Sequence, residues 1–176
     1  MCKSLYLLDG HSLAHRAFYA LPLLQNSSGE YTNAVFGFAR MFFKLLDDEK
    51  PDYIMVAFDK KAPTFRHKEY DDYKAQRKEM PEELQPQIKL IKDLLGVLKI
   101  PIVAMNGYEA DDLIGTLACR GEKEGYNVRI VTGDRDSFQL VSDRVNVVYT
   151  RKGISDIERY DLDKVRGKYG LEPEQL

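Results

Sequence analysis

Along this chain, short unbroken apolar runs alternate with longer stretches in which apolar residues return every three or four positions. The unbroken runs are "SLYLLD" (4–9), "YIMVAFD" (53–59), "IPIVAM" (100–105), "VRIVTGD" (128–134) and "VNVVYT" (145–150). They do not alternate apolar with polar, which is the pattern of strands in a parallel sheet covered on both faces. The periodic stretches predict a helix over 33–49, N-capped by Thr32 or Asn33, and another over 84–98 with the stripe Leu84, Ile88, Ile91, Leu95 and Leu98. A third helix is expected to start near Glu109 and to bury Leu113, Ile114, Leu117 and Ala118; a short fourth follows Asp136. Strand–helix alternation of this kind predicts an α/β fold, a three-layer α/β/α arrangement around a mostly parallel, doubly wound sheet. The 176 residues contain no internal repeat and no linker, so residues 1–176 are expected to form one domain, with "QNSSGEYT" (25–32) as its most flexible loop.

Composition narrows the setting. No apolar run approaches the roughly 20 residues that span a bilayer. The first run is also too short for a secretory signal, and a single Lys precedes it. The expected location is the cytoplasm, with no membrane partner. Cys2 and Cys119 are far apart and the histidines at 11, 15 and 67 are scattered, so zinc-type spacing is absent and the thiols read as buried or incidental. A formal net charge of −2 argues against a nucleic-acid partner until the distribution is considered: residues 60–78 hold seven Lys/Arg against three Asp/Glu. A local excess of positive charge is what a polyanion meets, whatever the sum.

The acids fall at strand ends. Asp9 closes the first run and Asp59 the second; Glu109, Asp111 and Asp112 follow the third; Asp134 and Asp136 follow the fourth. In an open parallel sheet the carboxyl ends of the strands share one edge, and ligands bind in the crevice there. Each acid also has a plain structural role available. Asp136 could cap a helix, Asp9 and Asp59 could form turns, and Glu109, Asp111 and Asp112 could be first-turn acids favoured by the helix dipole. Gathered in one crevice, however, so many carboxylates repel one another unless cations sit among them. Hard divalent ions with oxygen ligands answer that need, Mg²⁺ first and Mn²⁺ as an alternative. Two such ions can stabilise both the attacking and the leaving oxygen of a phosphoryl transfer. Glu109 and Asp112 lie three apart, share a helix face, and can feed the crevice together.

The basic stretch offers a second half to the site. If 69–78 is helical, Tyr70, Tyr73, Lys74 and Arg77 share one face, aromatic and cationic where a core stripe would be apolar. Such a face is either solvated charge with tyrosines tucked beneath it, or a set of phosphate contacts with a ring for stacking a base.

Four segments, "LLDGHSLAHRAFYAL", "VAFDKKAPTFRHKEYDDYKAQR", "GYEADDLIGTLA" and "TGDRDSFQLVSD", resemble in order and spacing the 5′-nuclease domains at the N-terminus of bacterial DNA polymerase I, relatives of the flap endonucleases with a PIN-like fold. The resemblance spans essentially the whole chain. It implies a divalent-metal-dependent 5′→3′ exonuclease and flap endonuclease acting on DNA in replication and repair. Its two metal ions would be held by Asp9, Asp59, Glu109, Asp111, Asp112, Asp134 and Asp136. It further implies that Lys74 and Arg77 contact the scissile phosphate from a helix that gates the site. Arg16, Arg66 and Lys78 would bind the substrate strand, and Tyr73 would lie near the displaced nucleotide. The implied partner is DNA with a 5′ end or 5′ flap at a duplex junction, with RNA–DNA hybrid as a further substrate, bound by a monomer. Family members continue past "KYGLEPEQL" into a duplex-gripping helix–hairpin–helix, a region expected to be absent from these 176 residues.

Two other readings differ in kind. An aspartyl-phosphate phosphatase would share the "YLLDG" strand end but needs a second acid two residues from the first, where Leu7 and His11 stand. A non-catalytic nucleic-acid-binding part of a longer polymerase chain would cut nothing, with or without metal.

Overall fold

The computed structural model describes residues 2–60, 64–66, 70, 79–152 and 156–176. β1 (Ser4–Asp9), β2 (Tyr53–Ala57), β3 (Ile102–Val103), β4 (Asn127–Thr132), β5 (Val145–Lys152) and β6 (Asp156–Tyr160) form one sheet in the order β3-β2-β1-β4-β5-β6. Every neighbouring pair is parallel except β5–β6. β1 is central, with Leu8 level with Val56 on one side and Val131 on the other. Helices α1 (Gly10–Ala20), α2 (Asn33–Glu49) and α3 (Gln85–Val97) cover one face of the sheet. α4 (Ala110–Lys123), α5 (Leu162–Tyr169) and the 3-10 turn Asp136–Leu140 cover the other.

The unbroken apolar runs have their cause in this two-sided cover. Tyr6 and Leu8 pack with Phe38, Phe42 and Phe58 beneath the first group of helices, while Leu5 and Leu7 pack with Ile114, Phe138 and Tyr160 beneath the second. A strand with no solvated face has no polar positions to spare. Each such Leu or Phe, taken out of water, contributes ~1.5–3 kcal/mol. The loop-to-helix entry of α2 is held from outside. Thr32 makes no side-chain cap; instead the buried Gln87 of α3 accepts from the Ala34 and Val35 amides at 2.7 and 3.2 Å and donates to Asn33 Oδ1 at 3.0 Å. Asn33 in turn donates to the Phe18 carbonyl at the end of α1. One buried amide pair thus locks α1, α2 and α3 together.

The three-layer α/β/α expectation agrees with this architecture, and the helices at 33–49 and 84–98 are found at Asn33–Glu49 and Gln85–Val97. The differences lie at element ends. The strand expected over 100–105 contracts to Ile102–Val103, an edge strand preceded by Pro101, which has no N–H to give a ladder. β2 and β4 stop at Ala57 and Thr132, short of 59 and 134, because the chain turns away there. α1, β6 and α5 were not foreseen. α1 follows β1 with no intervening loop, so Asp9–Gly10 reads in sequence as a turn when Asp9 is in fact the N-cap. The 25–32 loop is a built turn: Asn26 Oδ1 accepts from the Ser28 and Glu30 amides, and Gln25 pairs with Tyr31. Cys119 is exposed rather than buried, Ala118 taking the sheet-facing position, and Cys2 is exposed as well.

Candidate active site

The carboxyl edge of the sheet opens into a cleft of about 1220 Å³, and Asp9, Asp59, Glu109, Asp111 and Asp134 line it. Five of the expected acids therefore do converge. Asp9 stands at the C-terminal end of β1 because the strand ends there and α1 begins. Its Oδ1 accepts from the Ser12 amide at 2.9 Å, and its Oδ2 from the Thr132 hydroxyl at 3.1 Å. It is 6% exposed, and burial pushes its carboxyl above the ordinary range, with the nearby Asp59 charge acting in the same direction. The two donors oppose that shift. Gly10 next to it is dictated by packing: a Cβ there would lie 2.4 Å from Phe58 Cζ. Phe58 is fully buried and delivers Asp59 one residue on.

Asp59 joins the second strand end to the start of α4, its Oδ1 accepting from the Ala110 amide at 2.6 Å. Its own amide donates to His11 Nδ1 at 3.1 Å. The same nitrogen lies 3.3 Å from Asp59 Oδ2, but a nitrogen accepting from the amide cannot also donate to the carboxylate, so the amide bond is the one we assign. Asp134 is held through Thr132, whose hydroxyl accepts from the Asp134 amide at 3.0 Å while donating to Asp9. Ser12 ties α1 to the same turn by accepting from the Gly133 amide at 2.8 Å.

Asp112 and Asp136 are placed differently. Glu109 and Asp112 form a reciprocal capping box at the start of α4, with Asp112 Oδ2 accepting from the Glu109 amide at 2.9 Å. Arg66 then grips Asp112 with both guanidinium ends, at 2.9 and 2.6 Å, and reaches Glu109 Oε2 at 3.5 Å. The shared face expected of Glu109 and Asp112 exists, and the structure engages it in a cap and an ion pair. Asp136 is exposed in the first turn of its 3-10 helix, its amide donating to Asp134 Oδ1. Among the described residues no three acids or histidines stand close enough together to hold an ion in this conformation.

Basic side chains line the same cleft: His15, Arg16, Lys60, Lys89 and Lys92. Arg16 donates to the Arg151 carbonyl at 2.7 Å, so one end of its guanidinium is anchored within reach of the cleft. Lys92 lies over the Phe58 ring, 4.6 Å from its centroid, and partial burial lowers its pKa while the Asp59 charge raises it. Lys74, Arg77, Lys78 and Tyr73 lie outside the described residues. Sequence reasoning passed over His11, Ser12, Thr132, Lys89 and Lys92. Ser12 sits at the third helical position after the Asp9 cap and Thr132 begins a Thr-Gly-Asp turn, both readable hydrogen-bond positions. The two lysines lie on a stripe beside the apolar one of α3.

Comparison with known sequences decides the family. A family model described as "5'-3' exonuclease, N-terminal resolvase-like domain" matches residues 4–170. The chain belongs to this family. As a 5′-3′ exonuclease N-terminal domain it is 51% identical to DNA polymerase I of Bacillus caldotenax over 176 residues, which is 100% of this chain and 20% of that protein. It is 50% identical to DNA polymerase I of Bacillus subtilis (strain 168) over 174 residues, 99% of this chain and 20% of that protein. It thus spans about a fifth of the length of these relatives. Among solved structures, T5 5′-exonuclease with bound zinc ions superposes with a TM-score of 0.73 at 21% identity, covering 98% of this chain and 64% of that one. A bacteriophage T5 flap endonuclease in a pseudo-enzyme-product complex with DNA and metal ions does so equally, at 0.73 and 21%, covering 98% and 63%. At that identity the likeness concerns the fold, and it agrees with the PIN-like arrangement.

Proposed function

We propose that this 5′-3′ exonuclease domain hydrolyses phosphodiester bonds of DNA at a 5′ end or 5′ flap, with divalent cations bound among the carboxylates of the cleft. The observation that carries the reading is the cleft's lining: carboxylates from four strand ends gathered with cations of α1 and α3. The donor set suits hard cations, being oxygen throughout and partly desolvated at Asp9. Asp9, Asp59, Glu109, Asp111 and Asp134 would hold them, with Asp112 orienting Glu109 from behind and Asp136 at the outer edge. When bound, two Mg²⁺ or Mn²⁺ ions supply an activated water and a counter-charge for the leaving oxygen.

The chain's own groups do the rest. Thr132 fixes Asp9 and Asp134 relative to each other through one hydroxyl. Arg66 orients the Glu109–Asp112 cap, an arrangement that supports a positioning role toward the acids beside its expected DNA contact. Arg16 faces the incoming strand, and Lys74 and Arg77 would neutralise charge developing on the scissile phosphate, with Lys78 and Tyr73 on the same segment. The chain would act as a cytoplasmic monomer, on RNA–DNA hybrid as well as DNA.

A second reading has its own support: the chain spans about a fifth of its relatives, so these residues could bind nucleic acid while a longer chain cuts it. Incubation with a 5′-flapped duplex, with and without Mg²⁺, separates the two. Metal-dependent release of the flap supports the nuclease; binding without cleavage at any Mg²⁺ or Mn²⁺ concentration leaves only the binding module.

A further inference from the structure

The cleft is also lined by α3 residues to which no individual role has been given above. Gln85, Ile88, Lys89 and Lys92 fall at i, i+3, i+4 and i+7 of α3 and line the cleft as one stripe. Lys92 rests its cation against the Phe58 face, which anchors it one residue from Asp59. Yet neither Lys89 nor Lys92 has an ion-pair or hydrogen-bond partner among the described residues, although carboxylates line the same cleft. A cation held over a ring, with no donor contact among the described residues, shares the cleft with carboxylates that call for cations of their own. The ligand that satisfies both sets of groups is an anion bearing its charge on phosphate oxygens.

We infer that Lys89 and Lys92 form a phosphate subsite on α3, contacting a phosphodiester beside the one cleaved and so positioning the DNA strand against the carboxylates of the cleft. The inference rests on the nuclease reading above. The two lysines stand about 4.5 Å apart along the helix axis, less than one turn, so they converge on one stretch of backbone rather than on two strands. They carry no sequence information, since phosphate contacts fix register only.

The test couples protein and DNA changes. The chain is titrated into a labelled 5′-flapped duplex with metal withheld, then followed in single-turnover cleavage with Mg²⁺. Lys92→Met and Lys89→Met are each expected to weaken binding roughly three- to tenfold and to flatten the slope of log K against log salt by about one. Lys92→Arg keeps binding near wild type. Neutral methylphosphonates are then placed singly along the strand that is cut. At one position the wild-type chain should drop to the level of Lys92→Met, and the mutation should cost nothing further there. Lysine variants that bind and cut like wild type overturn the subsite. So does a Lys92→Met loss that persists at every methylphosphonate position, because the lysine would then only offset the acids' charge. Should Lys92→Met melt early, the exposed Lys89→Met carries the same comparison. A wild-type chain that neither binds nor cuts flapped DNA overturns the nuclease reading, and this inference with it.

Discussion

The two ends of β1 meet aspartates under matching hydrogen bonding and opposite solvation. At its N-terminal end, Asp52 Oδ2 accepts from the Ser4 amide and hydroxyl at 2.7 and 3.0 Å while remaining in water. Those donors, the amide first, hold its carboxyl below the ordinary range. At the C-terminal end, Asp9 also accepts from one amide and one hydroxyl, those of Ser12 and Thr132, yet its carboxyl is pushed up. The main donors match in kind, and burial is the largest cause of the rise at Asp9, with the Asp59 charge adding to it while the Lys3 charge adds to the depression at Asp52. One end of the sheet uses an aspartate to tie strand ends together. The other holds a charge in conditions that disfavour it, which is tolerable where a cation is to be bound.

The largest effect should come from removing that disfavoured charge. Asp9→Asn and Asp134→Asn are expected to lower flap cleavage by at least about a hundredfold, the scale on which a lost electrostatic contact at a reacting centre is felt. Their melting temperatures should hold or rise without metal, as repulsion in the cleft is relieved. Asp52→Asn should cut at the wild-type rate. Loss of folding in both cleft variants, or an inactive Asp52→Asn, would break the contrast between the two ends.

Packing at the same end is the next lever. Gly10→Ala places a methyl 2.4 Å from the Phe58 ring, whose neighbours include His11 and the Lys92 cation. Overpacking of this kind costs about 1–3 kcal/mol. For a chain of this size that lowers the melting temperature by roughly 2–4 °C per kcal/mol. Activity should fall with it, because a displaced Phe58 carries Asp59 and Lys92 along. Gly96→Ala, at a helical position with open space around it, is the control and should leave activity unchanged and hold or slightly raise the melting temperature.

Metal should act on one end alone. Mg²⁺ added at constant ionic strength is expected to raise the melting temperature, with linkage contributing about 1.4 kcal/mol at ten times the dissociation constant. In Asp9→Asn the rise should shrink, and in Asp52→Asn it should match wild type. A wild-type melting curve unmoved by millimolar Mg²⁺ and Mn²⁺ would count against a cation site.

The same contrast explains what could be read from sequence. Unbroken apolar runs reveal the covered sheet, and the rule that parallel strands open their carboxyl ends to ligands gathers seven acids in one crevice, of which Asp9, Asp59, Glu109, Asp111 and Asp134 line the cleft. Asp112 shows the limit. Its spacing from Glu109 suits both a shared ligand face and a capping box, and only the tertiary approach of Arg66 shows that its oxygens are engaged. α1 was hidden because a strand that turns directly into a helix leaves no loop to mark the boundary. Gln87 is hidden because a buried glutamine that caps another helix has no local signature; the amides it caps lie more than 50 positions away.

The smallest predicted effect is a pH dependence at the quiet end of β1. Asp52 has a folded-state pKa below its unfolded value, so its bonds to Ser4 contribute stability that is fully present above the ordinary carboxylate range. That contribution is lost as pH falls through the depressed pKa, where the proton displaces a carboxylate acceptor. Wild type and Asp52→Asn should therefore differ most in melting temperature near neutral pH, with wild type the more stable, and converge as pH drops below 3.8, the ordinary value for an aspartate. The gap should be modest, because the group is exposed and water competes for both donors. It should also be insensitive to Mg²⁺, which has no reason to visit that end of the sheet. A gap of constant size from pH 7 down to acid unfolding would show that Asp52 acts through its shape and not its charge. A gap that widened with added Mg²⁺ would undo the separation of the two ends.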